Sequence, residues 1–151
     1  STMQVGDKAF ELKQFHVHAP SENAINGKLY PMDAHFVHAD KDGNLAVIGV
    51  MFEIGETNTE LEKAWTQMPS DPSGLVELTT AVNALSLMPE GHDYYRFNGS
   101  LTTPPCSEGV SWFVMKEPVT ASREQIEKFS NAMEHPTNRP VQPINARVIV
   151  E

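Results

Sequence analysis

Gln14-Phe15-His16-Val17-His18 closes an alternating run that begins at Lys8, and Asp33-Ala34-His35 stands inside a second extended run, Tyr30 to Ala39. In a strand, successive side chains point to opposite faces, so Gln14, His16 and His18 share one face and Phe15 and Val17 take the other. Period-two reading places Phe10 and Leu12 with the histidines as well. Asp33, His35 and Val37 obey the same rule on the second strand. Pairing the two strands brings His35 beside the first two imidazoles. Three neutral imidazoles leave one corner of a tetrahedron open, which is the layout of a catalytic rather than a structural zinc. The spacing points to chemistry on water.

Working outward, Val5-Gly6-Asp7-Lys8 reads as a hairpin turn with a strand just upstream, and Asn26-Gly27 and Lys41-Asp42-Gly43-Asn44 read as further turns. Ala19-Pro20-Ser21 ends the first strand. Leu45 to Glu53 is a nearly continuous apolar run, the mark of a strand buried on both faces near the middle of a sheet. Helical spacing over Thr57 to Met68 is interrupted by Pro69, Pro72 and Gly74, and a short helical stretch follows around Val76 to Leu85. Tyr94 to Phe97 reads as a short strand and Gly109 to Val119 as a longer one. Ser122-Arg123-Glu124-Gln125 fits a capping box opening a helix with an Ile126, Phe129, Met133 stripe. Arg147 to Val150 closes as a strand, approached through Pro136, Pro140 and Pro143. No repeat or linker interrupts this pattern, so residues 1–151 read as one domain.

The chain has 151 residues, enough for one domain that buries roughly 70% of its unfolded surface. Lys and Arg number 11 against 20 Asp and Glu, giving a net charge of −9, so nucleic acid and anionic membranes are poor partners. No apolar run approaches the ~18 residues of a membrane span. Cys106 is the single cysteine, which excludes a disulfide within the sequence and any cysteine-rich zinc site. The opening Ser1-Thr2-Met3-Gln4 is not a signal peptide, and an exported protein already processed would look the same.

Metal-bound imidazoles give their other N–H to an oxygen acceptor, which fixes the tautomer and strengthens the ligand. Gln14 and Asp33 each stand two residues before a histidine on the same face. Either alone is an ordinary solvent-facing polar residue. With three histidines they read as those acceptors. His38 falls on the face opposite His35 and reads as structural or exposed; His92 and His135 read as solvated. Glu22 lies close enough to approach the metal without coordinating it. Ser100-Leu101-Thr102-Thr103-Pro104-Pro105 follows a Gly99 turn, and its prolines can hold a hydroxyl still over the site. Asn98-Gly99-Ser100 matches a glycosylation sequon in form and reads as a plain turn.

Gln14 to His18, Ser21-Glu22, Asp33 to His38, Leu45-Ala46-Val47, Gly99 to Pro105 and Arg139-Pro140-Val141-Gln142-Pro143 resemble, in order and over essentially the whole chain, the alpha-class carbonic anhydrases of bacterial type. The resemblance implies a mainly β (α+β) fold: a large, twisted, mostly antiparallel central sheet with small peripheral helices. It implies Zn²⁺ held by His16, His18 and His35, with zinc-bound water or hydroxide attacking carbon dioxide to give bicarbonate and a proton. Thr102 would accept the hydroxide's hydrogen bond and give its own proton to Glu22, since a hydroxyl donates once and accepts twice. Thr103 would help place bicarbonate. Val37, Val47, Leu101, Val110 and Trp112 would wall the carbon dioxide pocket. Gln14 and Asp33 would support His16 and His35, with Asp33 standing where the family has glutamate.

Family members carry a segment ahead of the first strand here, including further strands and the usual histidine proton shuttle, so the resemblance implies a fold incomplete on its N-terminal side and no shuttle among His38, His92 and His135. Bacterial members often pair a cysteine at the position of Cys106 with one in that segment, which implies a periplasmic or secreted location. A homodimer is possible. Two other readings stand beside this one. His16-x-His18-x-x-x-Glu22 also fits cupin-type oxygenases, with Glu22 as a fourth ligand and iron as the metal. A noncatalytic zinc-binding fragment would keep the ligands and expose its edge strands.

Overall fold

The computed structural model describes residues 1–69 and 75–151, so Pro72 and Gly74 lie outside the described residues. Its strands are β1 (Thr2–Val5), β2 (Lys8–His18), β3 (Ala24–Ile25), β4 (Lys28–Leu29), β5 (Met32–Ala39), β6 (Leu45–Ile54), β7 (Tyr94–Ser100), β8 (Glu108–Met115) and β9 (Val119–Ala121). Two α-helices, α1 (Thr59–Trp65) and α2 (Arg123–Met133), and a 3₁₀ turn at Ala84–Leu87 accompany them. The main sheet runs β1-β2-β5-β6-β8-β7, with β9 also on β6, while β3 and β4 form a separate hairpin through Asn26-Gly27. The pairing is antiparallel except that β6 runs parallel to both β8 and β9. Serving three neighbours, β6 occupies the interior place its unbroken apolar run demands.

The sheet separates two layers. Met32, Ala34, Phe36, Val50 and Phe52 pack beneath α1 and α2 on one face. Val47, Met51, Val110, Trp112 and Val114 pack on the other. One reading changes here. The register shifts between Leu12 and Gln14, where Lys13 forms a β-bulge. Leu12 therefore stands opposite His38 and packs with Phe15 and Val17, while Phe10 joins Ala46 and Phe113 on that same layer. Only Gln14, His16 and His18 keep the other face. An extra residue reverses the alternation, which period counting alone misses.

The helices sit where capping signals put them. Ser122 Oγ accepts the Gln125 N–H at 3.2 Å, and Gln125 Oε1 accepts the Ser122 N–H at 3.1 Å, forming the capping box. The same Oε1 accepts the N–H of Asn58, the α1 cap, at 2.9 Å, so one amide ties both helix starts together.

Four sequence readings are corrected. The helix expected over Val76 to Leu85 is only the 3₁₀ turn at Ala84–Leu87, because Leu75 and Leu78 are exposed with no surface to bury against. The strand expected from Gly109 to Val119 breaks before Pro118, which has no N–H for a ladder, and resumes as β9. Asn98-Gly99-Ser100 is not a turn but the end of β7. Arg147 to Val150 is no full strand: the Arg147 N–H closes a turn onto the Ile144 carbonyl at 3.1 Å, and only Val150 bridges to Arg96.

Candidate metal centre

His16 and His35 are direct cross-strand partners on β2 and β5, and His18 faces Asp33 one step along the same face. The ring centroids lie 4.9 Å (His16–His18), 5.5 Å (His16–His35) and 4.8 Å (His18–His35) apart. One nitrogen from each ring falls within 4.8 Å of the other two. Which nitrogen is set by the second one. His16 Nδ1–H donates to Gln14 Oε1 at 2.8 Å, His18 Nδ1–H to the Thr137 carbonyl at 2.9 Å, and His35 Nε2–H to Asp33 Oδ2 at 3.2 Å. Nε2 of His16, Nε2 of His18 and Nδ1 of His35 are left as lone-pair donors. His18 Nε2 is buried with no hydrogen-bond partner, an unmet polar atom that a cation would satisfy. Burial, reinforced by the neighbouring His35 and His18, lowers the His16 pKa to about 4, which keeps its nitrogen unprotonated at neutral pH. Three imidazoles, each with one ring nitrogen free, beside buried Asp33 and Glu22 form a donor set that fits a divalent zinc ion.

Gln14 and Asp33 thus stand where the spacing placed them. The acceptor for His18 is Thr137, which the sequence reading missed; no local signal could give it, because the contact spans 119 positions. Asp33 Oδ2 also accepts the Glu22 N–H at 2.9 Å, tying the turn after β2 to β5. Beside it Ser21, fully buried, accepts the Tyr30 N–H and donates to the Asn23 carbonyl. Glu22 is held accordingly. Its Oε1 accepts the Arg139 N–H at 2.6 Å, and its Oε2 lies 3.4 Å from His18 Nε2 and 3.8 Å from His35 Nδ1. Among the described residues no hydrogen bond joins Thr102 to Glu22, and Glu22 Oε2 is buried without a partner.

A cavity of about 220 Å³ opens on His16 and His35, and Val37, Val47, Leu101, Thr102, Thr103 and Trp112 line it. Val110 does not reach it and packs in the buried layer behind. A larger cavity of about 630 Å³ lies on the far side of Thr102 and Trp112 and reaches Glu22 and Arg139. His38 is buried on the opposite sheet face, and His92 and His135 are exposed and apart from the site.

The model of the eukaryotic-type carbonic anhydrase family matches residues 1–151. The chain belongs to the carbonic anhydrase family. A carbonic anhydrase of Pectobacterium carotovorum is 49% identical over 150 residues, covering 99% of this chain and 62% of that protein's length. The chain therefore spans less than two thirds of such relatives. Two solved alpha-carbonic anhydrases superpose with a TM-score of 0.95: that of Thermovibrio ammonificans in complex with the inhibitor sulfanilamide, 58% identical over 97% of this chain and 65% of its own, and that of Photobacterium profundum, 54% identical over 99% and 69%. Membership in this enzyme family and the full-length match to it leave the cupin alternative without support. Within the described residues no helix is long and apolar enough to cross a membrane.

Proposed function

We propose that this carbonic anhydrase chain uses zinc to hydrate carbon dioxide reversibly to bicarbonate and a proton. One observation carries the reading: three imidazole nitrogens, each with its ring partner already bonded elsewhere, converge, and two of the rings, His16 and His35, open on a small, largely apolar cavity. Zinc bound there supplies the Lewis acidity that makes a water nucleophilic near neutral pH, a behaviour for which carbonic anhydrase is itself the standard example.

The chain's own groups do the rest. Val37, Val47, Leu101 and Trp112 offer carbon dioxide a dry wall, suited to a substrate with no charge to pair. Thr102, at the boundary of both cavities, would orient the reacting water, and Glu22 Oε2, which has no hydrogen-bond partner, would accept its proton. Thr103, on the exposed rim, would hold bicarbonate.

Metal analysis, intact mass and a carbon dioxide hydration assay with and without a sulfonamide test the proposal together. Stoichiometric zinc with sulfonamide-blocked turnover is the expected result. Zinc without turnover would favour the noncatalytic reading. Absence of zinc binding would overturn the metal assignment itself.

A further inference from the structure

We propose that the hydroxyl of Thr137 is a positioning group for His18: by taking the Ala19 N–H, it frees the Thr137 carbonyl to hold the imidazole. The inference rests on the reading of His18 as a metal ligand. It concerns a side chain that touches neither metal nor substrate.

The β2–β5 ladder ends with His18 opposite Asp33, so Ala19 has no partner in the sheet. Ala19 is only 6% exposed, and water cannot serve its backbone. A buried N–H left unmet is destabilising, because it gives up its bonds to water for nothing. Thr137 acts as a one-residue strand partner. In an ordinary antiparallel pair, a residue donates its N–H to the facing carbonyl and accepts the facing N–H on its own carbonyl. Thr137 makes the first bond normally, N–H to the Ala19 carbonyl at 3.1 Å. For the second it substitutes its side chain: the Ala19 N–H goes to Thr137 Oγ1 at 3.0 Å. The carbonyl is released and accepts His18 Nδ1–H at 2.9 Å. One residue thus satisfies both backbone groups of Ala19 and fixes the tautomer of the neighbouring histidine. Two residues on, the Arg139 N–H holds Glu22 Oε1, so a shift of this strap would be felt at both His18 and Glu22.

Thr137→Val keeps the shape and removes the oxygen. The Ala19 N–H then competes for the carbonyl at position 137, and His18 loses exclusive use of it. Thr137→Ser restores the acceptor. Long-range ¹⁵N NMR of the zinc-free chain should show His18 protonated at Nδ1 in wild type and Thr137→Ser, and a mixed tautomer in Thr137→Val. Zinc affinity by chelator competition should fall ~10–100-fold in Thr137→Val, the range for losing the support of a ligand, and stay near wild type in Thr137→Ser. Wild-type tautomer and affinity in a folded Thr137→Val would overturn the proposal. If that variant does not fold, wild type alone decides: an Nε2–H tautomer at His18, or rapid exchange of the Ala19 amide, refutes it, and Nδ1–H with slow exchange sustains it. A wild-type chain that bound no zinc would defeat the metal reading, while the tautomer measurement would still judge the hydroxyl.

Discussion

Asp33 Oδ2 receives His35 Nε2–H at 3.2 Å and the Glu22 N–H at 2.9 Å, in a site where Asp33 is fully buried. The imidazole bond is longer than the ~2.7–2.9 Å usual for a charge-assisted pair. The carboxylate is shared between two donors and reaches the backbone better than the ring.

Lengthening that side chain should therefore separate metal affinity from stability. Asp33→Glu is expected to raise zinc affinity by about tenfold, the low end of such supporting effects. The added methylene in a filled site should cost about 1–3 kcal/mol of stability. Chelator competition and thermal unfolding read the two quantities separately. Unchanged affinity would show that the ring is already adequately held.

Gly99 supports the pocket wall. A Cβ there would stand 3.1 Å from Trp112 Cδ1 and 3.3 Å from Phe97 Cε2, and the Trp112 ring cannot easily yield. Its Nε1–H is bound to the Ser100 carbonyl at 3.0 Å, and its ring meets His35 edge-on with centroids 4.9 Å apart. Gly99→Ala should destabilise the fold by about 1–3 kcal/mol through overpacking. A denaturant melt at wild-type midpoint would mean the indole has room to move.

His38 predicts an acid-side loss of stability. Burial lowers its pKa below 6.5, although the carbonyls of Phe36 and Ala46 pull the other way. The folded chain thus binds this proton less tightly than the unfolded chain does. The contribution is complete above pH 6.5 and is lost progressively as the pH falls below it. Comparing urea unfolding of wild type and His38→Gln at pH ~7.5 and ~5 isolates the residue, since His16, His18 and His35 are common to both. The variant should lose less stability than wild type between the two conditions; equal losses would contradict this assignment.

Gln125 and Ser122 share a capping box but not its importance. Ser122→Ala removes a cap and should cost about 1 kcal/mol. Gln125 is buried, and its amide also binds the Asn58 N–H, the Asn58 carbonyl and Glu62. Gln125→Ala strands these groups between α1 and α2 and should cost more, about 2–4 kcal/mol for several unmet buried partners. Equal melting temperatures for the two variants would argue against the shared amide as the link between the helices.

Some of this was written in short stretches of the chain. Gln14, His16 and His18 lie within five residues, and alternation alone puts them on one face, as it does Asp33 and His35. The unbroken apolar run of β6 marks an interior strand, and Ser122 to Gln125 marks a helix start. Where the expectations failed, a local break in the regular pattern was responsible. The bulge at Lys13 sends Leu12 to the far layer, and Arg147 folds back where a strand pattern stands.

The sequence by itself therefore determined the candidate ligand types, their faces and two of the three ring acceptors, because β-alternation is a property of adjacent residues. Tertiary structure alone decided that His16 faces His35, that β6 runs parallel to β8, and that the acceptor for His18 is Thr137. Register and loop docking depend on which distant groups can bury and bond together. His18 finds its carbonyl 119 positions away, and only the folded backbone brings the two within reach.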